Sequence, residues 1–303
     1  MKNILVWIWN KSIDYKIAAI NKIYILIDKI NKLVNSKPKV LNIDETIDYI
    51  IKNKSSVSRF GDGELKLMTE KSIFFQTYSK ELDIRLKQVI RNEEKNLIVC
   101  IPDIFGELSI YVEETFNHWK LHIAKTRNTW YGLMDKNSIY GNAFISRCYY
   151  GFKDKSNCKT WFKKIKTIWI NRDIVIVEGK KSRLGIGNDL FNNTKSIKRI
   201  LCPEKNAFDK YDEILNEIKK LDKEKLILLA IGPTATVLAY DLYKAGYQAI
   251  DIGHIDIEYE WFLMGATKKE KIKNKFVGEA LGGDKVGECN DREYLNQIIK
   301  VIE

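Results

Sequence analysis

The sequence predicts an α/β fold: an open, Rossmann-like, mostly parallel sheet with helices on both faces, preceded by a helical extension. Two observations support this prediction. Five short apolar runs have the composition of buried strands, and a segment with helical spacing follows most of them. The predicted strands span residues 97–101, 174–177, 197–201, 226–231 and 248–252. The predicted helices of this domain span residues 42–52, 80–92, 107–123, 158–170, 184–191, 211–221 and 234–244.

The first forty residues differ in composition from the rest. They carry eight lysines against two acidic residues, Asp14 and Asp28, and apolar residues recur at helical spacing from Ile13 to Val34. We predict a basic amphipathic helical extension over residues 1–38 and a single domain over residues 39–303, with the boundary at Pro38. Such a helix could pack on its own domain, which is the simplest interpretation. It could also pair with a second copy in a homo-oligomer, or bring residues 1–35 against an anionic membrane surface as a peripheral contact.

Composition narrows the class of protein. Hydrophobic residues at 45% and charged residues at 30% are typical of a folded globular protein. The five cysteines are far apart and form no CxxC pair, which favours reduced thiols in the cytoplasm over a disulfide framework or a zinc site. No apolar stretch reaches 18 residues, so we expect no membrane span. The net charge of +11 suggests a polyanion binder, but no aromatic–basic recognition pattern occurs and we expect no nucleic-acid partner.

The segment Arg59-Phe60-Gly61-Asp62-Gly63-Glu64 is the strongest candidate for chemistry. Two carboxylates flank a glycine, and hard cations such as Mn²⁺ or Mg²⁺ prefer oxygen ligands of this kind while leaving positions for phosphate oxygens. Arg59 could donate to the same phosphates. The alternative interpretation is a polar surface turn, because Gly-Asp-Gly is also ordinary turn chemistry.

Two further loops follow predicted strands and could bind phosphate. The first runs from Glu178 to Asp189, where two spaced glycines allow close backbone approach and the basic residues attract a polyanion. Its candidate residues are Glu178, Arg183, Gly185, Gly187, Asn188 and Asp189. The second, Gly232-Pro233-Thr234-Ala235-Thr236, reads as a helix N-terminus whose free amides could hold a pyrophosphate. A charged surface loop and a purely structural helix start are the respective alternatives.

A third loop concentrates acidic residues around a histidine. If residues 251–261 are extended, Asp256, Glu258 and Glu260 line one face near His254. Crowded carboxylates are costly without a cation or a task, so a functional site is favoured over an exposed acidic edge strand. Arg147 stands out in an aromatic segment that suits sugar or base stacking. His118 and His122, four residues apart on a predicted helix, are interpreted as structural.

These four motifs, in this order, resemble the GT-D-fold glycosyltransferases, a family formerly listed as a domain of unknown function whose named activity glucosylates the glycans of serine-rich bacterial adhesins. The resemblance runs from about Asn42 to Trp261. It implies that Asp62 and Glu64 correspond to the family's Asp-X-Glu motif and serve a Mn²⁺ or Mg²⁺ ion on a UDP diphosphate. It further implies that the Arg183–Asp189 loop and the Gly232–Thr236 turn contact the nucleotide.

The resulting hypothesis is a metal-dependent glycosyltransferase that moves a hexose, most simply glucose, from a UDP-sugar to a glycan acceptor, protein- or lipid-linked, in the cytoplasm or at the inner membrane face. If the reaction inverts the sugar, a general base is required, and the candidates in order are Asp256, Glu258 and His254. The alternatives are a nucleotide-sugar hydrolase or phosphosugar enzyme using the same diphosphate site, and a non-catalytic polyanion binder.

Overall fold

The architecture is a parallel sheet. The computed structural model describes the backbone of residues 2–303 and the side chains of residues 14–303. Within these residues nine strands form one sheet in the order β1-β4-β3-β2-β8-β7-β5-β6-β9, and every neighbouring pair is parallel. The strands are β1 (Lys39–Val40), β2 (Ser56–Arg59), β3 (Leu97–Ile101), β4 (Ile139–Asn142), β5 (Asp173–Gly179), β6 (Ser196–Cys202), β7 (Leu226–Ala230), β8 (Gln248–Asp251) and β9 (Ile298–Val301). The predicted fold class is confirmed.

The helices connect and cover these strands. They are α1 (Lys2–Val34), α2 (Ile43–Asn53), α3 (Asp62–Leu67), α4 (Lys80–Ile90), α5 (Glu113–Leu133), α6 (Cys158–Lys166), α7 (Tyr211–Ile218), α8 (Pro233–Lys244), α9 (Ile255–Leu263) and α10 (Arg292–Gln297). Five of the helices predicted for the domain correspond to α2, α4, α6, α7 and α8. The helix predicted from residue 107 begins later, at Glu113. All five predicted strands are present as β3 and β5 to β8.

The central strand β2 was not predicted because its sequence is polar. Ser56 and Ser58 are nevertheless buried. The Ser58 hydroxyl donates to the Thr236 carbonyl at 2.8 Å, and the Thr236 hydroxyl donates to the Arg59 carbonyl at 2.8 Å. The two hydroxyl groups therefore hydrogen-bond backbone carbonyls across the contact between β2 and α8, and their small side chains let α8 pack closely on β2.

Two local predictions are wrong. Residues 184–191 form successive turns rather than a helix, because Arg183, Gly185 and Gly187 all adopt positive φ. Residues 255–263 form α9 rather than an extended segment. Its apolar residues Ile255, Tyr259 and Phe262 fall at helical spacing, which the alternation of charged residues obscured.

The extension is helical, as predicted. It packs on α5 through Asp28, whose carboxylate is bound by the buried Arg127 guanidinium; one of the two contacts, Nη2 to Oδ2, measures 3.2 Å. The expected membrane contact through residues 1–35 includes residues 1–13, whose side chains lie outside the described part. Within residues 2–303, no helix has the length and apolarity needed to cross a bilayer.

Candidate functional site

A cavity of about 670 Å³ lies at the carboxyl ends of the strands. Its walls come from residues that follow β2, β3, β4, β5, β6, β7 and β8, so each strand of the central sheet contributes one loop. This is the edge of an open α/β sheet where ligands bind. The loops after β2, β7 and β8, which the sequence singled out separately, meet here.

The two carboxylates of the Asp62-Gly63-Glu64 segment begin helix α3. The Asp62 side chain is one-third exposed. Its Oδ2 lies 2.9 Å from Nζ of Lys66 and 3.9 Å from Nε2 of His118. Burial by itself would raise the pKa of Asp62, but Lys66, His118 and His122 together hold it below its usual value. Asp62 is therefore an ionised carboxylate that faces the cavity.

One carboxylate oxygen of Glu64 forms a hydrogen bond with the backbone at the start of α3. Its Oε2 accepts the Gly61 amide at 2.7 Å, a cap on the first turn of α3. Burial raises the pKa of Glu64 to about 7, and the negative charge of Asp251 adds to the shift. The expectation that Glu64 serves a metal ion thus meets a competing role, because one oxygen already caps the helix. A cation nearby would restore its ionised form.

Arg59 ties the ends of two neighbouring strands together. Its Nε and Nη2 donate to the backbone and side chain of Asp251, each at 2.9 Å, and Nη1 donates to the Ala143 carbonyl at 3.3 Å. Two of the five N–H groups of the guanidinium remain for a ligand. Arg59 is therefore first a positioning residue, and sequence reasoning did not identify Asp251 as its partner.

Replacing Gly253 by alanine is expected to displace Arg59. Gly253 has φ of +44°, and a Cβ there would lie 1.7 Å from Nη2 of Arg59. We expect the free energy of unfolding in urea to fall by about 3 kcal/mol, from the left-handed alanine and the broken ion pair together. Gly265→Ala is the control, because Gly265 also has positive φ but no atom of the described residues lies within 4 Å of its Cβ position. Equal losses in the two variants would contradict the role given to Arg59.

The first turn of α8 faces the same cavity. Gly232 adopts φ of +60° and Pro233 opens the helix, and both line the cavity. Thr234 and Ala235 are buried behind them, and the Thr234 hydroxyl has no hydrogen-bond partner among the residues described. A helix start that leaves amides free beside a cavity favours an anion.

Helix α9 brings the three candidate bases together, but they differ in availability. Asp256 is buried and already accepts from Lys275 at 2.7 Å, from the Gly185 amide at 2.8 Å and from the Asn188 side chain at 2.8 Å. Burial, reinforced by the charge of Arg147, lowers the pKa of His254 to about 3, so its imidazole is neutral. Neither is well suited to removing a proton.

Glu258 is the most available of the three. Its Oε2 accepts the amides of Tyr149 and Tyr150 at 2.9 and 2.8 Å, and the residue lines the cavity. Burial raises the pKa of Glu258, while Arg147 and the two amides oppose the shift. The geometry therefore reverses the order expected from the sequence and makes Glu258 the first candidate base.

The glycine loop after β5 was predicted to contact the nucleotide, but most of its residues lie outside the cavity lining. Arg183 is buried and donates to the carbonyls of Asn274 at 2.9 Å and Gly287 at 2.7 Å, so it anchors the C-terminal segment. Asp189 pairs with Lys166 at the surface. Five loop residues that were predicted to contact the nucleotide do not line the cavity: Arg183, Gly185, Gly187, Asn188 and Asp189. Lys181 and Ser182, just before them, do line it.

Glu178 is also structural rather than ligand-binding. It is fully buried, its Oε1 binds Arg199 at 2.6 Å, and its Oε2 accepts the Leu184 amide at 2.7 Å. Glu178→Gln removes one charge of a buried pair and is expected to lower the free energy of unfolding by about 3 kcal/mol. Urea denaturation measures this loss. A rise in donor KM with unchanged stability would instead restore the binding role predicted from the sequence.

The rim of the cavity carries a charge network that the sequence did not reveal. Arg147 binds Glu279 at 2.6 Å, and Lys269 binds both Glu279 at 3.3 Å and Glu114 at 2.8 Å. Arg147 therefore reaches the cavity, but with its charge already paired. Its partner Glu279 comes from a segment without regular structure, which gave no sequence signal. His118, interpreted as structural, also lines the cavity, close to Asp62.

Carboxylates outnumber basic side chains in the lining of the cavity. Eight carboxylates and five lysine or arginine side chains line it among the residues described. A divalent cation that accompanied a nucleotide diphosphate would reduce the repulsion between its phosphates and these carboxylates. Within the described part of the chain, no cluster of three or more His, Cys, Asp or Glu side chains is arranged to hold a metal alone. Such a cation would need ligands from its substrate.

Comparison with known proteins identifies relatives of the whole domain. A family model described as "Glycosyltransferase GT-D fold" matches residues 57–280. Glycosyltransferase GlyD of Streptococcus pneumoniae serotype 4 is 44% identical over 262 residues, 86% of this chain and 32% of that protein. A probable glycosyl transferase Gly of Streptococcus gordonii is 40% identical over 286 residues, 91% of this chain and 41% of that protein. The chain thus spans about a third to two fifths of these relatives.

Solved structures match the architecture closely. A domain of unknown function 1792, described as having a distinct glycosyltransferase fold, superposes with a TM-score of 0.83 at 45% identity, covering 88% of this chain and 96% of that one. A glycosyltransferase of the same domain type from Streptococcus sanguinis gives a TM-score of 0.84 at 39% identity, covering 88% of this chain and all of that one.

Proposed function

Because the chain belongs to the GT-D-fold glycosyltransferase family, we propose that it transfers a hexose, glucose first, from a UDP-sugar to a glycan acceptor on a surface protein or polysaccharide precursor. The observation that carries the proposal is the convergence of the α3 carboxylates, the α8 N-terminus and Glu258 on one cavity. Together these groups can bind a metal, an anion and an acceptor hydroxyl.

Asp62 and Glu64 are the residues that would hold Mn²⁺ or Mg²⁺. The donor set fits, because Mg²⁺-like ions commonly take one or two carboxylates and fill their other positions with substrate phosphates and water. Such an ion supplies charge stabilisation for a leaving diphosphate. Lys181 and the α8 amides near Gly232 are suited to the remaining phosphate charge.

Three phenylalanines support recognition of the organic parts of donor or acceptor. Phe74, Phe75 and Phe276 line the cavity, and Phe75 and Phe276 meet edge to face at 6.0 Å between ring centroids. Aromatic faces of this kind suit a base or a sugar ring. Phe74 is 63% exposed, so ligand binding would cover it.

The chemical step needs a group that accepts the proton of the acceptor hydroxyl if the sugar inverts. Glu258 is suited to this role, because two backbone amides fix its orientation and it borders the cavity. Asp256 orients the cavity wall by holding Gly185, Asn188 and Lys275. Catalysis would take place in the cytoplasm or at the inner membrane face, where UDP-sugars are made.

The proposal is tested by measuring UDP release from UDP-glucose with and without a glycan acceptor. A transferase releases UDP in proportion to glycosylated acceptor, and release is slow without the acceptor. Equal release in both conditions would identify a nucleotide-sugar hydrolase instead. Failure of every UDP-sugar, with binding to arbitrary duplex DNA that falls steeply with salt, would favour the polyanion binder.

A further inference from the structure

Helix α1 presents an apolar surface that the domain leaves uncovered. Ten of the exposed large hydrophobic side chains lie on residues 15–34. They include Ile23 at 57%, Ile30 at 57% and Leu33 at 88% exposure. Eight of the ten point away from Asp28 and form the outer face of α1: Tyr15, Ile20, Ile23, Leu26, Ile27, Ile30, Leu33 and Val34. Exposed apolar side chains concentrated on one helix in this way mark an interaction site.

The domain already holds the opposite side of the helix. Asp28 binds Arg127 of α5, the Lys125 ammonium lies 5.8 Å from the Tyr24 ring centroid, and Lys32 donates to the Gly106 carbonyl at 3.4 Å. At about 100° per residue, the stripe of Ile20, Ile23, Ile27, Ile30 and Val34 points about a third of a turn away from Asp28. The outer face is thus fixed in orientation and directed away from the domain.

The charged residues of α1 indicate which kind of partner its outer face would bind. The exposed charged side chains described on α1 are Asp14, Lys16, Lys22, Lys29 and Lys32. Asp28, the other acidic residue of the helix, is neutralised by Arg127. A basic helix with one wide apolar face has the chemistry that binds in the plane of an anionic bilayer.

We propose that the outer face of α1 docks the protein on an anionic lipid bilayer. The helix would lie in the interface with its isoleucines among the acyl chains and its lysines near the lipid phosphates. The stripe also has the 3–4 spacing of a coiled-coil seam, but a second copy would bring the same excess of lysines to the contact. Charge therefore favours lipid over a twin helix.

Helix α5 links this surface to the cavity. Arg127 and Lys125 hold α1, while Glu114, Thr115, His118 and Trp119 near the start of α5 line the cavity. Docking through α1 would therefore hold the cavity at a set position relative to the bilayer. Docking on a bilayer is independent of the proposed activity and needs no donor or acceptor.

Vesicle flotation with the full chain tests the proposal. We expect binding to phosphatidylcholine vesicles that contain phosphatidylglycerol, little binding to phosphatidylcholine alone, and release by high salt. Lys22→Gln with Lys29→Gln should weaken binding about fivefold for each lysine. Ile23→Glu with Ile30→Glu should weaken it more than about tenfold.

A matched control separates this face from general surface apolarity. Ile139→Glu with Ile170→Glu makes the same change at two exposed isoleucines outside α1 and should leave vesicle binding unchanged. Circular dichroism confirms that each variant is folded. Binding that is absent, or equal on neutral and anionic vesicles, would overturn the proposal. So would a native dimer that Ile23→Glu with Ile30→Glu converts to monomer without any vesicle binding, because the occupant would then be a second copy.

Discussion

Asp62→Asn is expected to lower kcat/KM for sugar transfer by at least about 100-fold. The Asp62 carboxylate faces the cavity and keeps its charge, because Lys66 and two histidines hold its pKa below the usual value. Asparagine preserves the shape of the side chain but removes the charge that would hold the cation. Steady-state transfer at saturating Mn²⁺ measures the loss, and chelation with EDTA should reproduce it in the native protein.

The control for this substitution is Asp48→Asn. Asp48 lies on α2, is exposed, and forms a surface ion pair with Lys164 at 2.9 Å, so its loss should leave transfer unchanged. Full transfer by Asp62→Asn in the presence of EDTA would remove the metal assignment. Loss of activity together with a lower thermal midpoint would mean that Asp62 supports α3 rather than the chemistry.

Glu258→Gln is expected to lower kcat by about 10²- to 10⁴-fold if the reaction inverts the sugar, because glutamine cannot take the proton of the acceptor. The pH profile identifies the role. Since burial raises the pKa of Glu258, the native rate should fall as pH drops through that raised value and the base becomes protonated. The glutamine variant should lose this acid limb.

A structural role for Glu258 is separable from a chemical one. Glutamine keeps an oxygen that can accept the Tyr149 and Tyr150 amides, so the free energy of unfolding should change little. Asp256→Asn serves as the comparison. It weakens a buried ion pair with Lys275 and should lower stability, while the acid limb of the pH profile remains. A Glu258→Gln variant with the native rate would exclude it as a base and favour a retaining reaction.

The sequence predicted the parts of the fold that follow from hydrophobic pattern. Buried strands of a parallel sheet are continuous apolar runs, and the centres of β3, β5 and β7 have that character, while β6 and β8 keep shorter apolar stretches. Strand β2 could not be found this way, because its serines are buried only through hydrogen bonds to a helix 178 residues away. Short edge strands such as β1 and β9 carry too few residues for a periodic signal.

The candidate site was predicted in part. The segments at Asp62, Gly232 and His254 reach one cavity because parallel strands end at the same edge of a sheet, which topology alone implies. The glycine loop was predicted to bind phosphate because it combines basic residues with glycines. In the structure, the Arg183 guanidinium donates to two backbone carbonyls instead. Glu279 and Lys269 could not be found, since only tertiary contacts bring them to the rim.

Metal-dependent binding of the nucleotide is tested most directly by the affinity for UDP, measured by isothermal titration calorimetry with Mn²⁺ and with EDTA. The lysine and arginine side chains that line the cavity are already paired with carboxylates, so the bare site offers a diphosphate little free positive charge. We therefore expect UDP to bind at least about tenfold more tightly with Mn²⁺, and Asp62→Asn to abolish that difference. Equal UDP affinity in the two conditions, or no UDP binding in either, would contradict a metal-dependent nucleotide-sugar site.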